Sequence, residues 1–425
     1  MLSRLRLHVL AARPRPVLIL ALAALVTAAF GPAALASAGA SAGRSLDSAR
    51  VARAAPTPPG FVGMDTTDPM FNPQTALNDA NQLSSMVASG VQSIRVAFNW
   101  AAAQPYESWD QVPPDQRVGF PEAEIRPTDF SQTDEIVGDA AQHGLTVLPT
   151  ILYAPSWDAR RNPGGIATPK RGLPYAQYAA ALVKRYGPNG SFWRENPQIP
   201  RVPIRRWQIW NEPNLSYNWP QPFAKSYVSL LRLAHNAIKH ADPGAKVVLG
   251  ALTDFAWTSI GQIYKIRGAR NLFDIVSING FSKTPADVML YMQFMRHALI
   301  HDGDGHKPML ATELTWPSSK GTGTPQSFDF DTTPAGQARN IAALLPMIGR
   351  ERVQLGLIGF DYYTWIGNES RPYSLAFEFS GLLRYVNGNV SAKPALAAFS
   401  KGSLALERCR QKGSVATRCL KPDPS

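Results

Sequence analysis

Eight short, almost unbroken apolar runs recur between residues 60 and 365, and helical periodicity fills the gaps between them. The runs are 61–66 (FVGMDT), 93–100 (SIRVAFNW), 146–153 (TVLPTILY), 207–212 (WQIWNE), 246–253 (KVVLGALT), 273–280 (FDIVSING), 308–316 (PMLATELTW) and 357–365 (LIGFDYYTW). A strand covered on both faces needs no polar alternation, which is the condition of a parallel sheet. Leu77, Ala80, Leu83 and Val87 share one helical stripe; so do Tyr227, Leu230, Ala234 and Ile238, and Ile341, Leu344, Leu345 and Ile348. His143-Gly144 and Asp242-Pro243-Gly244 supply helix stops before the third and fifth runs. A last helix is expected at about 392–400, after the eighth strand. Eight such repeats predict an α/β fold, a (β/α)₈ TIM barrel with enlarged βα loops, as a single domain over 60–400. A doubly wound sheet is the alternative. It normally carries a Gly-rich phosphate turn after its first strand, and Met64-Asp65-Thr66-Thr67 is no such turn.

The ends of the chain read differently. Residues 1–16 are basic, Val17 to Phe30 is apolar, and Ala36-Ser37-Ala38 offers small residues in a cleavage pattern. This is the layout of a secretory signal peptide over 1–38. A membrane anchor is the rival, but a spanning helix needs about 20 apolar residues, and Gly31-Pro32 interrupts the run. A secreted, extracellular protein with no membrane span after signal removal is expected. Residues 39–59 form a flexible leader, and 401–425 a C-terminal tail. Cys409 and Cys419 are the two cysteines. They are too few for a disulfide scaffold or a Cys-rich metal site, and in an oxidising exterior they are expected to pair. The net charge is +12, yet no dense Lys/Arg run marks a nucleic-acid surface, so no nucleic-acid partner is expected. A monomer is expected.

In a barrel, chemistry gathers at the C-terminal ends of the strands. The polar and aromatic residues at those ends, with Arg95 in mid-strand, are Asp65, Asn99, Asn211, Glu212, Asn279, Glu313, Asp361 and Trp365. Glu212 ends the fourth strand and Glu313 sits late in the seventh. Both have apolar neighbours in sequence, where an unpaired carboxylate is costly. Strands four and seven face each other across a closed barrel mouth, and glycoside hydrolysis needs two carboxylates on one cleft. The histidines point away from other mechanisms. His235, His240, His297 and His301 lie in helical stretches, and none accompanies a serine at a strand end. A Ser-His-Asp triad and a His-rich metal cluster are therefore unsupported, and no metal or cofactor is expected. Trp100, Trp109, Trp157, Trp219 and Trp316 fall on or after strand ends, where some are expected to line a sugar cleft.

Asn211-Glu212-Pro213 on strand four, with a glutamate closing strand seven, resembles the clan A retaining glycoside hydrolases of the cellulase-type superfamily, family 5 and family 39 most of all. Arg95 in SIRVAF, YAPSW at 153–157, Trp365, GLLRY at 381–385 and the Lys393-Pro394-Ala395 stretch with Phe399 extend the likeness over about 60–400. The resemblance implies a carbohydrate substrate, a poly- or oligosaccharide. It implies Glu212 as general acid/base and Glu313 as nucleophile. It makes Arg95 the partner that keeps Glu313 ionised, Asn211 a hydrogen-bond partner of the sugar 2-hydroxyl, and Trp365 a platform for the ring. Asn279 is a further substrate-binding candidate, with a structural role as its alternative. Strand six departs from the family: Asn279-Gly280-Phe281 stands where His-x-Tyr is usual, and phenylalanine cannot donate the tyrosine's hydrogen bond.

Single residues have blander readings. Arg95 can neutralise Asp65 or Asp361 alone, and Trp365 can be barrel packing. A carbohydrate-binding barrel without activity, acting at the cell wall, is the alternative to the enzyme.

Overall fold

The computed structural model describes residues 57–423, apart from 76, 121–123, 163–164 and 371–374. The expected signal peptide and the leader as far as residue 56 lie outside the described residues.

Each apolar run contains a strand. These are β1 (Val62–Thr66), β2 (Ser93–Asn99), β3 (Thr146–Leu152), β4 (Arg206–Ile209), β5 (Lys246–Val248), β6 (Val276–Asn279), β7 (Met309–Leu314) and β8 (Leu357–Tyr362). They pair in parallel in the order β5-β4-β3-β2-β1-β8-β7-β6. Two isolated parallel bridges, Val248 with Ile275 and Leu252 with Ile278, join the two edges. The result is a (β/α)₈ barrel, and no doubly wound sheet.

A helix follows every strand: α1 (Asp79–Ala88), α2 (Ser131–Gln142), α3 (Gly172–Tyr186), α4 (Phe223–Ala241), α5 (Ala256–Tyr264), α6 (Pro285–His301), α7 (Pro334–Leu355) and α8 (Pro394–Leu406). The expected stripes of α4 and α7 are buried in full. That of α1 is shifted. Asn78 caps the helix by accepting from the Asn81 amide at 2.9 Å, so Leu77 lies outside it. Leu83, Met86 and Val87 are the buried face, and Ala80 is exposed. The cap outweighs the pattern because it satisfies an amide that the first turn cannot.

The barrel interior is layered by polarity. Leu148, Val248, Ile275 and Leu310 form a small apolar plug inside it. Beyond the plug the lining turns polar, with Gln208, Thr150, Ser277 and Asp361 all buried. Gly63 of β1 is required here by close approach: a Cβ on it would overlap the Asp361 carboxyl.

The tail continues from α8 into an antiparallel hairpin, Cys409–Lys412 with Cys419–Pro422, closed by a Cys409–Cys419 disulfide with a Cα separation of 5.7 Å. Its Ala416 amide donates to the His143 carbonyl at 2.8 Å, at the C-terminal end of α2. The hairpin therefore sits at the face opposite the strand C-termini. Among the described residues no helix is long and apolar enough to cross a membrane.

Candidate active site

β4 ends at Ile209, and the chain then leaves regular geometry. Trp210 and Glu212 both have positive φ, at 69° and 46°. Such backbone costs about 1–3 kcal/mol per residue and persists only where its surroundings over-determine it. Here they do. Asn211 bridges to Ala251, the Glu212 amide donates to the Ala251 carbonyl at 2.8 Å, and the buried Trp210 indole donates to the Asn218 carbonyl at 2.9 Å. Glu212 is thereby aimed into a cavity of about 940 Å³ at the C-terminal mouth. Glu313, from β7, lines the same cavity, and each glutamate is under 10% exposed.

The two carboxyls are held by different chemistry. Glu313 Oε1 accepts from Arg95 Nη1 at 2.8 Å, a buried ion pair. The same nitrogen donates to Asp65 Oδ1 at 2.8 Å. Arg95 Nε donates to Gln208 at 2.8 Å, and Nη2 to Asn211 Oδ1 at 2.9 Å. Every nitrogen of the guanidinium is therefore engaged, which fixes its plane. Among the described residues Glu212 has no ion pair within hydrogen-bond distance. Asn279 Nδ2 donates to its Oε1 at 2.9 Å, and Asn218 Nδ2 to its Oε2 at 2.9 Å. A continuous chain links the glutamates: Glu313, Arg95, Asn211, Asn279, Glu212, its weakest step being Asn279 to Asn211 at 3.5 Å.

Four buried carboxyls, Asp65, Glu212, Glu313 and Asp361, crowd around the one Arg95 guanidinium, so burial is not fully offset. Glu212 is pushed up to about 8, by desolvation first and by the Glu313 charge second, against the lowering by Asn279 and Arg95. Asp361 rises to about 7, mainly by burial, with Arg95 and Arg206 pulling it down. Burial also raises Asp65, and the Glu313 and Asp361 charges add to it. Both raising causes favour the protonated form of the Glu212 carboxyl.

The structure thus brings Glu212, Glu313, Arg95, Asn211 and Asn279 together. Arg95 does not serve Asp65 alone. Asn279 donates to Glu212, accepts from Thr312 Oγ1 at 2.9 Å, and does not line the cavity. Trp365 is elsewhere. Its ring is fully buried, its indole donates to Gln82 at 3.0 Å, and it does not line the cavity. The residue that does, just after β8, is Tyr363, whose hydroxyl is driven up by burial and by the Glu313 charge. The chain turns out of β8 after Tyr362, so the strand alternation that would place residue 365 no longer applies. Trp100, Trp109, Trp157, Trp219 and Trp316 do not line the cavity either; Trp257 does. Trp100, Trp219 and Trp316 are core residues.

Solved structures carry the same barrel. A family 39 glycoside hydrolase from the gut symbiont Bacteroides cellulosilyticus superposes with a TM-score of 0.59 at 18% identity, over 82% of this chain and 64% of that one. The chain therefore spans under two thirds of that protein's length. A monomeric beta-xylosidase from Caulobacter crescentus gives a TM-score of 0.57 at 17% identity, over 82% and 69%. The family 53 catalytic domain of Ignisphaera aggregans gives 0.52 at 21%, over 81% and 98%. The fold is that of these glycoside hydrolase barrels. No family model matches the sequence, and no curated protein is similar to it in sequence.

Proposed function

We propose that the protein is an exported retaining O-glycosidase, with Glu212 as acid/base and Glu313 as nucleophile. The observation that carries this reading is the unequal environment of two buried glutamates on one cavity. One is charge-paired with Arg95, and the other is proton-retaining and held by two amides. In the first step Glu313 attacks the anomeric carbon while Glu212 gives its proton to the leaving oxygen. A glycosyl ester of Glu313 forms and the alcohol departs. Glu212 is then a carboxylate, and the Asn279 and Asn218 donors satisfy one oxygen each. In the second step it takes a proton from water, which attacks the anomeric carbon and frees Glu313. Arg95 supports Glu313 in both its ionised forms, before attack and after release. Asn211, fixed by Arg95, lines the cavity and is placed for a sugar hydroxyl.

The test is a panel of nitrophenyl glycosides of both anomers, with Glu313→Ala as control. Hydrolysis by the wild type and none by the variant is expected. Binding of a sugar without hydrolysis of any glycoside would instead favour the carbohydrate-binding barrel.

A further inference from the structure

The cavity has two unlike halves. Strands β1 to β3, with Thr67 just after β1, contribute Asp65, Thr67, Arg95 and Thr150, beside the smaller apolar Val96, Ala97 and Leu152, to one of them. The loops after β6, β7 and β8 contribute Phe281, Phe328, Phe330, Phe377 and Leu375 to the other. The four phenylalanines form one block. Phe281, Phe330 and Phe328 stack nearly parallel, with centroids 5.7 and 5.0 Å apart at 10° and 6°. Phe377 packs at an angle on Phe281 and Phe328, at 5.2 and 4.8 Å. All four are half-buried, left partly open to the cavity, and Leu375 is 50% exposed. Two carboxylates edge the block. Asp329 is turned to solvent and paired with Lys283 at 3.3 Å, and Glu378 lies beside Phe377.

The block reaches the reacting groups. Phe377 is 5.8 Å from Tyr363, which feels the Glu313 charge. Phe281 lies two residues beyond Asn279, which holds Glu212. Phe255 and Trp257, after β5, line the cavity too, and Phe255 is 70% exposed.

A sugar unit needs partners for its hydroxyls, because a buried hydroxyl without one is costly. Tyrosine and tryptophan carry a polar handle beside their apolar face; phenylalanine and leucine do not. A continuous phenyl surface open to solvent beside the reacting groups is itself unfavourable unless something apolar covers it. The polar half, with Arg95 and Asn211, suits the sugar that is transferred. Building on the glycosidase reading, we propose that the phenylalanine block receives the leaving group, and that this group is apolar. The substrate is then a glycoside of an alkyl or aryl alcohol, and not a polysaccharide. Phe281, just past strand six, a loss by the measure of the tyrosine it replaces, gains a use as part of this surface.

The test takes the sugar that the wild-type protein releases from the nitrophenyl panel and attaches it to methyl, butyl and octyl alcohols, whose leaving-group basicity is nearly constant. kcat/KM is expected to rise about tenfold or more from methyl to octyl, a fraction of the roughly fourfold per methylene that full burial would give. In Phe328→Ser/Phe330→Ser the octyl-to-methyl ratio should fall toward one, with circular dichroism reporting that the barrel is intact. Should that double variant not fold, Leu375→Ser is the second probe, and its ratio should fall by about twofold to fivefold. Hydrolysis with equal kcat/KM for the three alcohols, or better cleavage of an oligosaccharide of the same sugar, overturns this inference and leaves the glycosidase reading standing. Failure to hydrolyse any glycoside overturns both.

Discussion

Glu313 at the end of β7 and Glu212 just past the end of β4 lie equally deep and face one cavity, yet the barrel treats them in opposite ways. Glu313 meets a guanidinium at 2.8 Å; Glu212 meets neutral donors, the Asn279 and Asn218 amides at 2.9 Å and the Tyr217 hydroxyl. An ion pair supports a permanent charge. Neutral donors in a desolvated pocket tolerate a charge that comes and goes. The division of labour is thus built from the partners and not from the glutamates, which are chemically the same residue.

Removing each glutamate tests that division. Glu313→Ala should lower kcat/KM by at least about 10⁴-fold on every substrate, because both chemical steps pass through its carboxylate. Glu212→Ala should cost about 10² to 10⁴-fold where the leaving group is basic. It should cost far less in the first step with a dinitrophenyl glycoside, which departs without a proton. Azide should then rescue turnover of Glu212→Ala and give a glycosyl azide with the substrate's own configuration, since azide attacks the ester without a base. Azide rescue of Glu313→Ala alone, with inverted product, would keep Glu313 as the nucleophile and contradict Glu212 as the acid/base.

Much of this was legible in sequence, for physical reasons. A parallel strand buried on both faces must be apolar throughout, so eight such runs stand out. A carboxylate closing one of them is conspicuous because it costs so much there. Gln208 was legible in principle, as a polar residue in mid-run in WQIWNE, and it now receives both Arg95 Nε and Thr150 Oγ1 at 2.8 Å. Asn218 was not. It lies in a loop, six residues past Glu212, and reaches it only because Trp210 and Glu212 take left-handed backbone. Trp365 misled because the resemblance fixes a residue type near the end of β8, whereas the turn after Tyr362 decides which ring faces the cavity. The phenylalanine block joins three loops, and no local pattern connects residues 281, 328, 330 and 377.

Finer changes sharpen the contrast. kcat/KM should fall about tenfold per unit above pH 8, since the reaction needs Glu212 protonated and its carboxyl titrates at about 8. Asn279→Ala removes a donor that favours the ionised form, so this basic limb should move to higher pH, with a loss in rate of about tenfold. A limb left in place would assign the high value to another group. Asp65→Asn should do least. It frees Arg95 Nη1 from one of two carboxylates while leaving Glu313 paired, so kcat should change by less than about fivefold and the basic limb should stay near 8. A loss as large as that of Glu212→Ala would mean that Asp65, and not Glu313, is the partner for which Arg95 is held.

The most direct measurement traps the covalent intermediate. A 2-deoxy-2-fluoro glycoside with a dinitrophenyl leaving group, made on the sugar the protein releases, is incubated with Glu212→Ala, and the digested protein is weighed by mass spectrometry. One sugar per chain, on the peptide that carries Glu313, is the predicted result. A sugar on any other residue, or no adduct from a glycoside that the wild type turns over, would contradict the account.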